Sequence, residues 1–326
     1  MNIDTKARAV GCMIGAAYGD ALGAPVEFMS YEEIVAKHGA EGIDVPDVRW
    51  EGLPPGIITD DTQMAMATAN GILDSPGQGD VLENIFKRYL EWREYIRHNR
   101  RGAGKTCRES LDSGVMGTIE KPLNEGKGCG GVMRAHPVGI AFRESPERAF
   151  EIGMRSGAIT HGTPEAYVPS GVIASIVSHI FFGATLEGAA KMALVQAENL
   201  GEEKSRETVN FLKMALDAAT DQAVQTIHDK LSVPNATMKG GGWLGYDALA
   251  IGLYAARVSL DDPVKAVKIA VNHSGDSDST GDITGAMMGA IFGPEPFLKE
   301  LDKTGIALEH REELISMGER LAIWQP

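Results

Sequence analysis

The chain has 326 residues, of which 43% are hydrophobic and 23% are charged, so its composition excludes a disordered or fibrous protein. Its 45 acidic and 31 basic residues give a formal net charge of −14, which disfavours nucleic acid as a partner. The three cysteines, Cys12, Cys107 and Cys129, are widely spaced and include no CxxC pair. This pattern disfavours both a disulfide framework and a thiolate zinc site, and it predicts a cytoplasmic location.

Helical patterns recur along most of the chain, whereas strand patterns are scarce. Capping residues followed by apolar positions three or four apart predict helices that begin after Asp80, Thr163 and Asp262. A similar pattern predicts a helix from about residue 204 to residue 231. Only residues 42–50 suggest an extended segment, and a loop accounts for them equally well. The low aromatic content, 6%, also fits packed helices better than a β-sandwich.

Two uncharged segments resemble targeting or membrane signals. Residues 9–18 follow two basic residues, as in a signal peptide, and residues 166–186 are long enough to span a bilayer. The first segment is rich in glycine and lacks leucine, and the second contains proline, serine and histidine, so both are predicted to be core helices. We therefore expect no membrane partner. Because no linker or repeat divides the chain, we predict one compact, all-α, multi-helix domain over residues 1–326.

The first acidic cluster is Thr59-Asp60-Asp61, which lies between a Pro-Pro-Gly turn and a segment rich in alanine and methionine. Taken alone, it has an ordinary structural interpretation. Asp60 would be the N-cap of a helix and Asp61 would lie in its first turn, where the helix dipole favours negative charge. The alternative interpretation is that the two carboxylates take part in chemistry.

The second acidic cluster lies near the other end of the chain, in residues 274–282. Its carboxylates are Asp276, Asp278 and Asp282, and three hydroxyl groups lie between them. Such oxygen donors suit Mg²⁺, Mn²⁺ or Ca²⁺ better than zinc. An EF-hand loop beginning at Asp276 is disfavoured, because its twelfth position requires a bidentate glutamate and is occupied by Met287.

We hypothesise that the two clusters, about 215 residues apart, form one site. Five carboxylates packed together without a counter-charge would repel one another or be forced to bind protons. Divalent cations would remove that conflict. Because five carboxylates exceed what one Mg²⁺ ion normally takes from a protein, the hypothesis includes two metal ions.

Two glycine-rich segments accompany these clusters. Gly11, Gly15 and Gly19 recur every four residues, which predicts a helix face without side chains and a closely packed neighbour. Glu27 follows that helix, either as a functional carboxylate or as an exposed loop residue.

Residues 126–131 contain four glycines whose backbone N–H groups could bind a phosphate, although a flexible loop is the alternative. Residues 104–106 imitate part of a Walker A motif but lack its first glycine, which disfavours an ATPase.

Together and in this order, these elements resemble the ADP-ribosylglycohydrolase family. The matching segments read GCMIGAAYGDALGAPVEF at 11–28, ITDDTQMAMATA at 58–69, KGCGGVMRAHPVGI at 127–140, AITHGTPEA at 158–166 and HSGDSDSTGDITGAMMGAIFG at 273–293. The resemblance implies a compact all-α fold. It also implies two Mg²⁺ or Mn²⁺ ions held by Thr59, Asp60, Asp61, Asp276, Asp278 and Ser279.

The resemblance further assigns roles around the metals. Glu27 matches an acidic residue beside the second metal, and Glu27, Asp60 and Asp61 are the expected catalytic residues. The residues expected to bind ADP-ribose or the acceptor are Gly128, Cys129, Gly130, Gly131, Met133, His161 and Glu109. Among these, Glu109 stands where arginine-directed members have an acid, and His161 could equally be structural.

The leading hypothesis is hydrolysis of the N-glycosidic bond between ADP-ribose and an arginine of a protein substrate. Activated water would attack the anomeric carbon while Glu27 or Asp60 handles protons. A second hypothesis changes the acceptor to serine, a nucleobase or a small molecule. A third is non-catalytic, in which the protein binds ADP-ribose or blocks a toxin.

Overall fold

In the computed structural model, which describes residues 4–75, 81–98, 101–235 and 237–325, the chain is built from α-helices joined by loops. Within these ranges no strand occurs, and β-type pairing is limited to three isolated bridges. The all-α prediction is therefore confirmed. The helices α1 to α16 are, in chain order, Thr5–Gly23, Tyr31–His38, Asp60–Leu73, Val81–Tyr95, Lys105–Asp112, His136–Ala141, Pro146–Ala158, Pro164–Phe181, Leu186–Glu198, Glu202–Asp217, Ala223–Thr226, Gly245–Val258, Pro263–Val271, Ser277–Phe292, Glu295–Thr304 and Arg311–Ile323.

Helices α1 and α14 pack against each other through glycines, as the spacing of Gly11, Gly15 and Gly19 predicted. A methyl group on any of these glycines would overlap a backbone carbonyl oxygen of α14. The glycines of α14 that face them are, in the same order, Gly289, Gly285 and Gly281. Since the pairing runs antiparallel, the carboxyl end of α1 lies beside the amino end of α14. This contact brings the segment after Gly23 next to the second acidic cluster.

The two apolar segments are core helices, as predicted. In α8 every residue from Ala166 to Ile180 is buried, although the helix ends at Phe181, before the predicted limit at residue 186. Among the described residues, Thr5–Val26 is a segment long and apolar enough to cross a membrane, and its apolar window is entirely buried within the molecule. Buried apolar side chains form one cluster from Ala9 to Trp324.

Local capping chemistry predicts two helix starts correctly. Helix α8 begins at Pro164, and Asp262 caps α13 by accepting a hydrogen bond of 3.0 Å from the backbone N–H of Lys265. The predicted start after Asp80 lies outside the described residues, and α4 is described from Val81. Residues 42–50 form a loop.

The single helix predicted for residues 204–231 is wrong. Helix α10 ends at Asp217, Ala218 is extended, and the next helix, α11, begins at Ala223. Hydrogen bonds from α12 account for the break: the Arg257 guanidinium donates to the carbonyl of Ala215, and the Tyr254 hydroxyl donates to that of Ala219. These tertiary partners replace the intrahelical ones, which the apolar spacing could not predict.

Candidate functional site

The first acidic cluster forms the start of α3. The N-cap is Thr59, whose hydroxyl accepts a hydrogen bond of 3.1 Å from the N–H of Asp61, so the predicted N-cap at Asp60 is wrong by one residue. Asp60 and Asp61 both lie in the first turn of the helix and are buried. The local sequence therefore determines where α3 begins, while the tertiary contacts that bury Asp60 and Asp61 determine the chemistry of their carboxyl groups.

Asp20 of α1 holds this turn in place and was not identified from the sequence. Its carboxylate accepts hydrogen bonds from the N–H of Thr59 at 3.0 Å and from the N–H of Thr62 at 3.1 Å. The Thr62 hydroxyl donates a third, at 2.5 Å. The only sequence signal was a lone carboxylate inside a glycine-rich apolar helix. Asp20 thus joins the glycine-packed pair of helices to the first acidic turn.

The second acidic cluster forms the start of α14. Asp276 is the N-cap, and the helix already includes Asp278 and Asp282, which confirms that no EF-hand loop is present here. Gly275 has a φ of +123°, and its carbonyl accepts a hydrogen bond of 2.6 Å from the N–H of Phe28. The turn before α14 is therefore fastened to the segment that carries Glu27.

The two acidic turns meet. The Ser279 hydroxyl donates a hydrogen bond of 2.8 Å to the Asp61 carboxylate, across 218 residues of sequence. Asp60, Asp61, Asp276, Asp278 and Ser279 line one cavity of about 450 Å³. The hypothesis that the two clusters share one site is confirmed as geometry, and metal binding at this site stays a prediction.

Burial makes this cavity unfavourable for unpaired negative charge. Desolvation, followed by repulsion from Asp278, raises the pKa of Asp60 to about 8 and that of Asp20 to about 7. The same causes raise the pKa values of Asp61 and Asp276 well above the ordinary range of a carboxyl group. Without cations the carboxyl groups retain protons, whereas added positive charge would favour their ionised forms.

The donor atoms fit a hard divalent cation. Oδ1 of Asp276 is buried and has no hydrogen-bond partner in the described part of the chain, while its Oδ2 accepts from the Cys129 thiol at 3.3 Å. Among the described residues, no three acidic, imidazole or thiol side chains form a ready-made metal cage. Mg²⁺ commonly uses one or two carboxylates and keeps several waters, so such a cage is not required. Carboxylate and hydroxyl oxygens are the donors that Mg²⁺ and Mn²⁺ prefer.

Glu27 lies on the rim of the same cavity. It follows a short 3₁₀ turn, Ala24–Val26, and precedes Phe28, which has a left-handed φ of 57°. The Arg49 guanidinium lies 3.0 Å from its carboxylate, but burial and the charge of Asp278 still raise the pKa of Glu27 well above its usual range. The sequence alternative of an exposed loop glutamate is wrong, since only 9% of the side chain is exposed.

The glycine-rich loop lines the same cavity as Glu27. Residues Cys129–Gly131 form one 3₁₀ turn, and the N–H of Cys129 donates to the carbonyl of Trp243 at 3.0 Å. Among the residues predicted to bind substrate, those that line the cavity are Gly128, Cys129, Gly130, Met133 and His161. Gly131 lies behind them, where an added methyl group would contact the hydroxyl of Ser170.

Glu109 is not part of this cavity. Its side chain is 66% exposed, lies 3.7 Å from the Lys105 ammonium, and lines a separate depression of about 230 Å³. Thr106 lines both spaces, so the two are neighbours. Sequence reasoning also missed three cavity residues: Phe28 ends the matching segment 11–28 but was assigned no role, and Met238 and Trp243 lie outside the matching segments. The segment that imitates a Walker A motif lies in the cavity lining as well.

Comparisons with known proteins agree with this architecture. The sequence profile of the family described as ADP-ribosylglycohydrolase matches residues 1–325. ADP-ribosyl-[dinitrogen reductase] glycohydrolase of Rhodospirillum rubrum is 28% identical over 303 residues, which cover 90% of each chain. ADP-ribosylarginine hydrolase Tri1 of Serratia proteamaculans is 24% identical over 98% of this chain and 80% of the relative. A solved ADP-ribosylglycohydrolase-related protein complex has the same fold, with a TM-score of 0.73, 24% identity and 99% coverage of both chains.

Proposed function

The chain belongs to the ADP-ribosylglycohydrolase family, and we propose that it hydrolyses the N-glycosidic bond between ADP-ribose and an arginine of a modified protein. The observation that carries the proposal is the meeting of two acidic turns in one buried cavity, joined by the hydrogen bond between Ser279 and Asp61. A purely structural protein would gain nothing from so many desolvated carboxyl groups, since their burial costs free energy.

We propose that the site holds two divalent cations, Mg²⁺ or Mn²⁺. The residues that would hold them are Thr59, Asp60, Asp61, Asp276, Asp278 and Ser279. When bound, the cations would supply Lewis-acid chemistry and the positive charge that the buried carboxylates need. The orphaned Oδ1 of Asp276 supports this assignment, because a buried carboxylate oxygen ordinarily has a partner.

The other residues bind substrate and transfer protons. In the proposed reaction, Glu27 or Asp60 accepts the proton of the water that attacks the anomeric carbon. The surrounding carboxylates stabilise the positive charge that develops there as the bond to the guanidinium breaks. The N–H of Cys129 is engaged by the carbonyl of Trp243, so the N–H groups of Gly130 and Gly131 are the ones that would bind the diphosphate.

The arginine acceptor is the finer part of the proposal. The Serratia relative is named an ADP-ribosylarginine hydrolase, and in this chain Glu109 would recognise the guanidinium from the depression beside the cavity. We also propose a cytoplasmic location, in keeping with three cysteines that are all free.

The test is a turnover assay with peptides that carry ADP-ribose on arginine or on serine. We expect release of free ADP-ribose from the arginine peptide, loss of activity after chelation with EDTA, and recovery with Mg²⁺ or Mn²⁺. Asp276→Asn should abolish turnover. Asp262→Asn is the matched control, because asparagine caps a helix as well as aspartate does and Asp262 lies outside the cavity.

The other hypotheses predict different results. Release of ADP-ribose from the serine peptide alone would show that the acceptor is serine and not arginine. Tight ADP-ribose binding without turnover of any conjugate would support the non-catalytic hypothesis. Glu109→Gln should raise KM for the arginine peptide and leave ADP-ribose affinity unchanged, and equal KM values would remove Glu109 from acceptor recognition.

A further inference from the structure

We infer that Arg134 and Thr160, which do not line the cavity, hold His161 in a single neutral tautomer with its proton on Nε2. Both are positioning residues, and His161 is thereby a hydrogen-bond donor toward the ligand. The inference deepens the proposed function, because it rests on ADP-ribose occupying the cavity that His161 lines.

Arg134 is a buried cation without a buried anion. Its side chain is fully buried, and its guanidinium lies 4.3 Å from the centre of the Tyr89 ring. It donates to the Thr160 hydroxyl at 2.7 Å and to the carbonyl of Ser156 at 3.3 Å. Among the described residues no carboxylate lies within ion-pair distance of it. Its positive charge is therefore not cancelled locally and acts on the groups next to it.

The Thr160 hydroxyl connects this charge to His161. Its oxygen accepts from Arg134 and lies 2.9 Å from Nδ1 of the His161 ring. A hydroxyl has one hydrogen to donate, and with the guanidinium directed at its oxygen that hydrogen is available for Nδ1. The cation behind Thr160 favours the same arrangement, since it attracts the lone pair of Nδ1 and repels an N–H dipole there. Nδ1 is therefore the acceptor.

The opposite ring nitrogen then carries the hydrogen. In the described part of the chain the hydrogen bond of the His161 ring is the one at Nδ1, and the ring, which is buried, lines the cavity and packs against the glycine-rich loop. A methyl group on Gly130 would overlap the ring at Cε1 and Nε2. Burial and the Arg134 charge lower the pKa of His161 to about 3, so the ring stays neutral at physiological pH.

This assignment separates two roles that a histidine in an active site can have. An imidazole with a free Nε2 lone pair would act as a base toward the substrate. With hydrogen on Nε2, His161 instead donates to an acceptor oxygen, such as those of a phosphate, beside the N–H groups of the turn Cys129–Gly131. The glycines at 128 and 130 leave the space that the ring occupies.

The direct test is nitrogen-15 NMR of the imidazole rings in the full-length protein. His161→Phe identifies the signal of His161 among the eight histidines. We expect a protonated Nε2 and an unprotonated Nδ1 in the wild-type protein. A protonated Nδ1 would overturn the inference.

Two substitutions at Thr160 provide the matched test. Thr160→Val removes the hydroxyl at nearly constant size and should yield a mixture of tautomers, whereas Thr160→Ser retains the hydroxyl and should preserve the wild-type spectrum. We expect ADP-ribose affinity to fall about tenfold in Thr160→Val and to be retained in Thr160→Ser. An unchanged tautomer in Thr160→Val would refute the roles of Thr160 and Arg134.

The spectrum is recorded without ligand, so it is independent of the proposed activity. If the wild-type protein bound no ADP-ribose while its NMR spectrum showed hydrogen on Nε2, the proposed function would fail and the tautomer assignment would stand. If ADP-ribose bound tightly while Nδ1 carried the hydrogen, the assignment would fail and the proposed function would stand.

Discussion

The clearest test of the buried acidic site is the effect of pH and Mg²⁺ on stability. We consider the metal-free protein between pH 7.2 and pH 8.7. An acid whose pKa is raised on folding contributes stability at low pH, and this stability is lost as the pH rises through the folded-state pKa. The pKa of Asp60 is raised to about 8, so the last part of the stability that its protonated form contributes is lost inside this interval. The metal-free protein should therefore become less stable as the pH rises.

The interval also avoids an opposing effect of buried histidines. Burial lowers the pKa of His136 and His161 to about 3 and that of His273 to about 4, so these rings are neutral in the folded protein. Because unfolded histidines bind protons near pH 6.5, these residues make stability rise with pH only below about pH 7. Above pH 7.2 the buried carboxyl groups and the buried thiols of Cys12, Cys107 and Cys129, whose pKa values are also raised, both make stability fall as the pH rises.

The magnitude follows from linkage. Below a raised folded-state pKa, each rise of one pH unit lowers the free energy of unfolding by about 1.4 kcal/mol. Asp60 alone therefore lowers it by roughly 1 kcal/mol between pH 7.2 and pH 8.7. The pKa values of Asp61 and Asp276 are also raised by burial and by the charge of Asp278, so these groups change the stability in the same direction. At about 2 °C per kcal/mol for a chain of this size, Asp60 alone should lower Tm by about 2 °C.

Thermal unfolding of chelator-treated protein, with and without Mg²⁺ at constant ionic strength, measures this effect. We expect Mg²⁺ to raise Tm more at pH 8.7 than at pH 7.2, because ionised carboxylates bind it better. Asp60→Asn should reduce both the pH dependence and the Mg²⁺ effect. In Asp247→Asn, which changes a buried aspartate outside the cavity, the Mg²⁺ effect should persist. The reasoning is refuted if the metal-free Tm is equal or higher at pH 8.7, or if NaCl stabilises as much as Mg²⁺ does.

Three further predictions concern single side chains. Gly285→Ala should lower the free energy of unfolding by about 1–3 kcal/mol in urea denaturation, because its methyl group would overlap the backbone of α1. The control Gly188→Ala, in α9, should raise that free energy by up to about 1 kcal/mol. Equal effects of the two substitutions would contradict the close packing of α1 and α14. Asp20→Asn should lower the free energy of unfolding by about 1–3 kcal/mol, because it removes a carboxyl group that accepts three hydrogen bonds. It should also weaken Mg²⁺ binding in calorimetry, and wild-type affinity would show that Asp20 does not support the metal site. Asp282→Ala should raise Tm at pH 8.7, because both carboxylate oxygens of Asp282 are buried without a hydrogen-bond partner in the described structure. A lower Tm would contradict this and show that Asp282 has a stabilising partner, such as a bound water.

The sequence predicted the features that depend on neighbouring residues. Asp262 and Pro263 specify a helix start through local hydrogen bonding and a fixed φ, and the structure shows that start. The four-residue spacing of glycines in α1 predicted a bare helix face, because side chains at that spacing lie on one side of a helix. The break after Asp217 was missed, since the α12 side chains that donate hydrogen bonds to the carbonyl groups around it lie far away in sequence.

Motif reasoning found the acidic and glycine-rich parts of the site but not what supports them. Asp20, Arg134 and Thr160 lie inside the matching segments 11–28, 127–140 and 158–166, but the resemblance assigned them no role, and only their contacts in the structure show what they do. Glu109 shows the converse, since its position in the motif order placed it at the site and the structure places it in a neighbouring depression. Motif order specifies residue types along the chain and carries no distances between them.

The amino-acid sequence by itself determined the helical class, the two acidic turns and the hard-oxygen character of their side chains, because these properties depend on residue type and on spacing within a few positions. Only the tertiary structure decided that the turns meet, that their carboxyl groups are desolvated and that Asp20 fastens one of them to α1. The physical reason is that pKa values and hydrogen-bond partners depend on burial and on charges a few ångströms away, and those neighbours come from helices far apart in the chain.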